Sequence, residues 1–306
     1  MAISRAQMMK ELLPGLNALF GLEYKQYDDE STAVYETESS DRAFEEEVKL
    51  SGFGAAPVKS EGSAISYDTA QEHFTARYNH ETIAMGFAIT EEAVEDNLYD
   101  SVSARYTKAL ARAMAHTKQV KAAFPLNNAY TSANFTAGDD VELCSATGHL
   151  DINGDAIPNS LTTASDLNET SLEQAVIDIS AFTDDRGLII AARPKRLIVA
   201  AYNQFVATRI LETELRPGTA DNDINALRTN GTIPGGYSVN HFLTTGNKKF
   251  WFVMTDVPNG MKHFTRTPLQ TGMDGDFDTG NVRYKARERY SFGVSDFLGI
   301  FGSGDL

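Results

Sequence analysis

The stretch from Thr90 to Phe124, TEEAVEDNLYDSVSARYTKALARAMAHTKQVKAAF, contains neither proline nor glycine, and Pro125 follows it directly. Such a run predicts one long helix, roughly 50 Å in length at 1.5 Å per residue. The Thr90 hydroxyl is suited to cap a free N–H group of the first turn. The charges follow the helix dipole, with acids near the start and lysines near the end: Glu91, Glu92, Glu95, Asp96, Lys118 and Lys121.

Apolar residues recur through the same stretch at close to helical spacing. They form a narrow stripe made of Val94, Leu98, Val102, Ala109, Ala113, Val120 and Phe124. A helix as long as a domain is typical of a spine against which other elements pack. It is less typical of the wall of a small binding pocket.

A second patterned stretch lies near the C-terminus, where NVRYKARERYSF (Asn281 to Phe292) alternates with the period of a strand. One face carries four cations, the basic row, and the other carries apolar residues interrupted by Glu288. Like charges on one face repel each other unless water or acids meet them. Two interpretations follow: a solvated edge strand that resists aggregation, or a docking strip for an acidic segment. The basic row consists of Arg283, Lys285, Arg287 and Arg289.

A candidate acidic segment lies in the same chain, between Glu23 and Ser66, where large apolar residues are few. A loop of this length is usually functional or disordered, so we expect a long excursion rather than a core element. Residues Glu72 to Thr90 then alternate as strands that lead into the long helix. The acids proposed to meet the basic row of a neighbouring copy are Glu45, Glu46, Glu47 and Glu61.

The remaining segments predict helices and strands of an α/β layer. Ser4 to Phe20 read as an amphipathic helix with a break at Pro14-Gly15, docked either on its own domain or, as an arm, on a neighbouring subunit. A capping-box pattern opens another helix at Ser171. A buried strand, a third helix and a further strand follow at Arg196 to Ala200, Gln204 to Leu215 and Lys249 to Met254.

Composition excludes several classes of protein. The 306 residues include 42 acidic and 27 basic residues, for a net charge of −15, whereas proteins that grip nucleic acid are usually basic. One cysteine, Cys144, rules out an internal disulfide framework. No apolar run approaches the roughly 20 residues of a membrane helix, and the N-terminus lacks the apolar core of a signal peptide. We therefore expect a protein that is cytosolic when made and does not bind membranes.

The sequence shows no pattern of chemistry-bearing residues above background. It has no phosphate loop, dinucleotide fingerprint or zinc motif. Cys144 and His149 lie close in sequence, but a lone buried thiol is the commoner case. We predict a protein without catalytic residues, cofactor or metal, and hence not an enzyme. Two acidic runs imitate the start of a calcium loop but lack its glycine and its bidentate glutamate: Asp274, Asp276 and Asp278, and Asp151, Asn153 and Asp155.

Three stretches resemble a known family. They are ELLPGLNALFG (Glu11 to Gly21) with SSDRAFEEEVKLSGFGAAPVKSEGSAISYD (Ser39 to Asp68), ELCSATGHL (Glu142 to Leu150) leading to NETSLEQA (Asn168 to Ala175), and FDTGNVRYKARERYSFGVSDFLGIFGS (Phe277 to Ser303). In order and spacing they resemble the major capsid proteins of tailed bacteriophages, whose shell subunits have the Hong Kong 97-type fold. No single motif among them is catalytic.

The resemblance implies an α+β capsid fold with four parts. Residues 1–43 are expected to form an N-terminal arm, and residues 44–89 an extended loop that reaches over an adjacent subunit. A peripheral domain is expected to comprise residues 90–166 and 261–290, with its spine helix at 90–124. An α/β axial domain is expected from residues 167–260 and 291–306.

The function implied by the resemblance is that of a shell subunit. It assembles with itself into hexamers and pentamers of an icosahedral phage head that encloses double-stranded DNA without sequence specificity. Portal and scaffold proteins are the further partners expected, and the virion and, during assembly, the host cytoplasm are the expected locations. The alternative within the fold is an encapsulin-like bacterial compartment. Some members of the family form Lys–Asn cross-links, but no motif assigns a partner to Lys49 or Lys59.

Overall fold

Two four-stranded sheets and a separate two-stranded hairpin organise the chain in a computed structural model, which describes residues 5–90, 92, 99–216, 223–243, 249–275 and 280–303. The described helices are α1 (Arg5–Lys25), α2 (Tyr99–Asn127), α3 (Glu169–Ser180), α4 (Gln204–Glu212) and α5 (Ala226–Thr229). The strands are β1 (Glu36–Ser39), β2 (Phe44–Leu50), β3 (Glu72–Asn79), β4 (Glu81–Ile89), β5 (Pro194–Ala200), β6 (Tyr237–Asn240), β7 (Trp251–Thr255), β8 (Met261–Gly275), β9 (Val282–Val294) and β10 (Ile300–Ser303).

The first sheet has the strand order β1-β8-β9-β4 and is antiparallel except where β1 runs parallel to β8. One of its faces is covered by α1 and α2. The Asn17 side chain fixes α1 to the sheet by accepting hydrogen bonds from Tyr284 (2.9 Å) and Thr271 (2.8 Å). The apolar contact between these elements is made by Leu16, Phe20, Leu110, Ala111, Met114, Tyr284 and Ala286.

The second sheet has the order β10-β7-β5-β6, and both of its faces are buried. Helices α3 and α4 cover one face through residues such as Ile179 and Ala207. The end of α2 covers the other face, where Leu126 joins Ile198 and Phe252. Because the middle of α2 packs on the first sheet and its last turns pack on the second, one helix contributes to both cores.

The long helix is present, but its predicted buried face was wrong. Of the predicted stripe, Val120 and Phe124 are almost half exposed, and Ala109 is exposed. Val94 and Leu98 lie outside the described residues, as does the side chain of Val102. The face that packs on the sheets is rich in alanine, which hydropathy patterns mark weakly: Leu110, Ala111, Met114, Ala115, Ala122, Ala123 and Leu126.

Two predicted helix breaks are also wrong. Helix α1 continues through Pro14 to Lys25, and α2 continues through Pro125 to Asn127. Proline costs a helix one backbone hydrogen bond. In both helices a fully or almost fully buried residue follows the proline, Leu16 in α1 and Leu126 in α2. Tertiary packing of those side chains outweighs the local cost.

The helices and strands of the α/β layer are of the predicted types, but their boundaries differ from the predicted ones. The strands at Arg196 to Ala200 and Lys249 to Met254 are β5 and β7. Helix α3 begins three residues earlier than the capping pattern indicated, because Asn168 is the N-cap and accepts a hydrogen bond from the Ser171 N–H at 2.8 Å. No helix in the described part of the chain is both long and apolar enough to cross a membrane.

The two sheets are joined by a pair of adjacent connections, β7 to β8 and β9 to β10. Gly260 lies on the first and Gly299 on the second, and their backbones touch. A Cβ built on Gly299 would lie 2.3 Å from the Gly260 Cα, and one built on Gly260 would lie 2.8 Å from the Gly299 Cα. The Ser295 N–H donates to the Gly260 carbonyl at 3.0 Å, which fixes the same crossing. Neither glycine leaves room for a side chain.

We expect Gly299→Ala to lower the free energy of unfolding by at least about 1–3 kcal/mol, since the added methyl forces two backbones apart. Urea unfolding of the purified subunit measures this. Gly21→Ala is the matched control: an added Cβ there has no neighbour within 4 Å, and alanine is the better helix former. Equal stability of Gly299→Ala and wild type would contradict a tight crossing.

Candidate functional site

The basic row lies on a central strand, so the prediction of an edge strand is wrong. β9 pairs with β8 on one side and with β4 on the other. The alternation itself is confirmed: Tyr284, Ala286 and Tyr290 are buried on the helix-covered face. The cations point to the opposite face, where their partners on β4 are small: Thr82, Ala84, Gly86 and Ala88 stand opposite Arg289, Arg287, Lys285 and Arg283.

Three of the four cations are exposed, and the fourth is half-buried. The half-buried one, Arg289, reaches the Ala43 carbonyl with Nη2 at 3.5 Å. On β8 the residues opposite the row are mostly neutral, with Asp274 facing Arg283 at its far end. No ion pair within the described ranges involves Lys285 or Arg287. The structure therefore presents a flat basic surface on an acidic chain.

Glu288 occupies the other face of the same strand and is 5% exposed. Burial raises the pKa of its carboxyl to about 7. The Tyr24 hydroxyl of α1 donates to Glu288 Oε2 at 3.4 Å, whereas Oε1 has no partner among the described groups. Lys118 favours the ionised carboxylate, and Asp29 opposes it. The one acid that broke the apolar pattern in the sequence is thus buried between α1, α2 and β9.

The acids predicted to meet the basic row lie on the hairpin, defined as β2, β3 and the segment between them. Three of them have partners within their own chain. Glu45 accepts a hydrogen bond from Ser40 at 2.6 Å, and Glu46 lies 3.6 Å from Arg77. Glu47 accepts from Ser295 and from the buried Lys262, which also lies 3.0 Å from Glu38. Glu61 is exposed at a turn. The pairing of these acids with a neighbour's basic row remains a prediction.

The base of the hairpin is fixed to the second half of the chain by Lys49. Its ammonium group is 3.1 Å from Asp296 Oδ1 and 3.5 Å from Asp185 Oδ1, and it lies 4.5 Å from the centre of the Phe297 ring. A cation that is largely removed from water needs such partners. Arg186 adds hydrogen bonds to the carbonyls of Gly52 (3.3 Å) and Thr69 (2.6 Å). Lys49 is therefore held within its own subunit.

The ion pairs of Lys49 and Lys262 with Asp185, Asp296 and Glu47 form a clamp at the base of the hairpin. Beyond this clamp the hairpin is exposed. Every residue from 55 to 72 is exposed, including the apolar side chains of Val58, Ile65 and Tyr67. Val58 is 97% exposed and Tyr67 is 92% exposed. Large exposed apolar side chains grouped on one element mark an interaction surface. The clamp residues Lys49, Asp185, Lys262 and Asp296 were missed in the sequence, because each pairs with a residue far away along the chain.

Other candidate sites have structural roles. Asp151 stabilises a tight turn by accepting hydrogen bonds from the N–H groups of Asn153 (2.7 Å) and Asp155 (2.8 Å). His149 is fully buried and bonded to Asp139 at 2.6 Å. Cys144 is also buried, and burial raises the pKa of its thiol. No group of acids, histidines and cysteine in the described part of the chain is arranged to hold a metal ion.

Comparison with known proteins gives both a family and a fold. A family model described as phage capsid protein matches residues 74–302. The capsid of Myoviridae phage XM1 has a TM-score of 0.55 at 12% identity, over 89% of this chain and 89% of that one. The capsid of an empty GTA particle has a TM-score of 0.56 at 15% identity, over 91% of each chain.

A virus-like particle from Pyrococcus furiosus has a TM-score of 0.52 at 10% identity, over 96% of this chain and 99% of that one. No curated protein sequence matches this chain. At these identities the solved structures show the fold, and the Hong Kong 97-type α+β fold expected from the sequence is confirmed.

The burial of Glu288 predicts that the free energy of unfolding depends on pH. Its pKa is about 7 in the folded chain, against an ordinary value of 4.5, so folding favours the protonated form. The free energy of unfolding should therefore fall by about 2–3 kcal/mol as the pH rises from 4.5 to 8. Glu288→Gln, which cannot ionise, should lack this contribution. Urea unfolding of both proteins at pH 5 and pH 8 measures the difference. An identical pH dependence in the two would show that Glu288 ionises without cost.

Proposed function

Because this chain belongs to the phage capsid protein family, it is a shell protein and a component of a phage capsid, and we propose that it is the subunit of hexamers and pentamers in an icosahedral head around double-stranded DNA. The family match favours this assignment over an encapsulin-like compartment. The subunit is made in the host cytoplasm, and portal and scaffold proteins complete the head.

The observation that carries the proposal is the hairpin. Its base is held by largely buried ion pairs, whereas Val58 is 97% exposed and Tyr67 is 92% exposed. An element whose base is fixed and whose apolar side chains are exposed is suited to bind a neighbouring subunit, because contact removes that apolar surface from water. The extended loop at residues 44–89 accordingly has two parts: the hairpin reaches out, and β4 stays in the sheet.

Further exposed apolar side chains lie around the second sheet and its helices. Phe205 on α4 is 73% exposed, and Ile177 on α3 is 61% exposed. Ile189 and Ile224 are similarly exposed on nearby loops. These residues fall in the proposed axial domain, residues 167–260 and 291–306, where subunits of a ring would meet. Repetition makes weak contacts sufficient, since each subunit makes several at once.

The charge of the chain also fits a DNA container. A net charge of −15 repels packaged DNA from the wall, so the genome is held without sequence-specific contacts. The basic row is the exception, and we propose it as a docking surface for an acidic protein segment in the assembled shell. Of the four acids predicted to meet the row, Glu45, Glu46 and Glu47 have partners in their own chain, whereas Glu61 is exposed at a turn.

The proposal predicts shells or capsomer rings when the chain is expressed with its assembly partners, seen by negative-stain electron microscopy and light scattering. Val58→Glu should abolish them while leaving the subunit folded, since its side chain is already in water and charge in an apolar interface is costly.

Lys59→Ser is the matched control on the adjacent exposed residue, and it should assemble normally. Circular dichroism and urea unfolding should be the same for all three proteins. Normal shells from Val58→Glu would show that the hairpin is not part of the interface between subunits. A chain that stays monomeric with every partner supplied would contradict the shell function itself.

A further inference from the structure

Among the strands that the structure describes, β4 has a neighbour on one side only, so its other side is a strand edge. β4 ends the sheet order, and its nine residues pair with β9 without a register shift. Natural edge strands usually avoid pairing with other chains by carrying lysine, proline or a bulge. The sequence ETIAMGFAI has neither lysine nor proline, and its one charge is Glu81 at the first position. The backbone along this edge is therefore suited to receive another strand.

The basic row lies one strand in from this edge. The β4 residues that share a face with the row are small, and the central two, Ala84 and Gly86, are exposed. Adjacent strands lie about 4.8 Å apart, so a strand added to β4 would run parallel to the row across a strip of small side chains. Long cationic side chains can extend over such a strip. Carboxylates at every second position of the added strand would face them.

The alternate residues of β4 point to the helix-covered face, and they determine which side chains of an added strand fit on that face. Ile83 and Phe87 are partly buried on the helix-covered side, and Met85 between them is 55% exposed. Side chains of an added strand that point to this side would continue an apolar surface. The occupant that fits both faces therefore alternates acidic with apolar residues over about seven to nine positions.

We propose that the β4 edge and the basic row bind an extended segment of a second protein by strand addition, with acidic residues over the row and apolar residues on the other face. A second copy of this chain is the poorer source, because Glu45, Glu46 and Glu47 have partners in their own chain and the segment around the exposed Glu61, VKSEGSAI, does not alternate acidic with apolar residues. The inference rests on the proposed role of the basic row as a docking surface, and it names the partner's chemistry.

The first experiment uses a fluorescent ten-residue peptide of alternating Glu and Val, with fluorescence anisotropy on the purified full chain. We expect saturable binding. A peptide with Lys in place of Glu should not bind. A Glu-Val peptide N-methylated at alternate residues keeps its charge but loses donors for strand pairing, and we expect at least tenfold weaker binding. Hydrogen exchange of amides 81–89 should slow on adding the unmethylated peptide.

Protein variants separate this site from shell assembly. Lys285→Gln with Arg287→Gln should weaken peptide binding about tenfold, since each exposed ion pair contributes modestly, and should leave shells intact. Val58→Glu should abolish shells and leave peptide binding unchanged. Thus failure of the peptide to bind overturns the docking site, whereas absence of shells from the wild type overturns the proposed function.

Three results would overturn the inference. Equal binding of the N-methylated and unmethylated peptides would show that the contact depends on charge and not on strand pairing. Tighter binding of a single-stranded DNA oligonucleotide with five phosphates, with a steep salt dependence, would make the row a nucleic-acid surface. Loss of shells in the Lys285→Gln, Arg287→Gln variant would place a neighbouring copy on the row.

Discussion

Burial of α2 against both sheets is the constraint on which the rest of the structure depends. Leu110 and Met114 pack on the first sheet, and Ala122 and Leu126 pack on the second. The positions of the two sheets are therefore coupled through one rigid element. The close crossing at Gly260 and Gly299 couples them a second time on the strand side. Alanine on the helix and glycine at the crossing serve the same end, since both let backbones approach closely.

Element types were predictable from the sequence, because periodicity reports which side of an element meets water. The alternation of β9 predicted its two faces, and the run from Thr90 to Phe124 predicted a long helix of which Tyr99–Asn127 is described. Boundaries were less predictable. Local rules ended helices at Pro14 and Pro125, whereas burial of Leu16 and Leu126 carries both helices onward. The stripe was misplaced for a related reason: alanines facing a close neighbour look neutral in a hydropathy pattern.

The position of β9 and the clamp of the hairpin could not be predicted at all. Whether a strand is central or at an edge depends on its neighbours, and β4 joins β9 across some 200 residues of chain. Lys49 and Lys262 look like ordinary surface lysines in sequence. Their burial between acids and aromatic rings follows only from the folded arrangement. The same pairing explains why Glu47 is not available to a neighbour: the buried Lys262 without a carboxylate partner would cost more than an unmet acid on the surface.

The docking role proposed for the basic row places a surface function on a strand whose other face is core. Each cation alternates with a side chain that packs under α1 and α2, so the core holds the row straight and evenly spaced. Substitution of a cation leaves the core face unchanged, and substitution of a core residue disturbs the row. Any one exposed ion pair contributes under about 1 kcal/mol, which is too little to select a partner. Four cations in a fixed register, beside an edge that supplies backbone hydrogen bonds, combine weak charge contacts with directional pairing. In the proposed strand addition, the specificity of this face comes from the spacing that the buried half of β9 imposes.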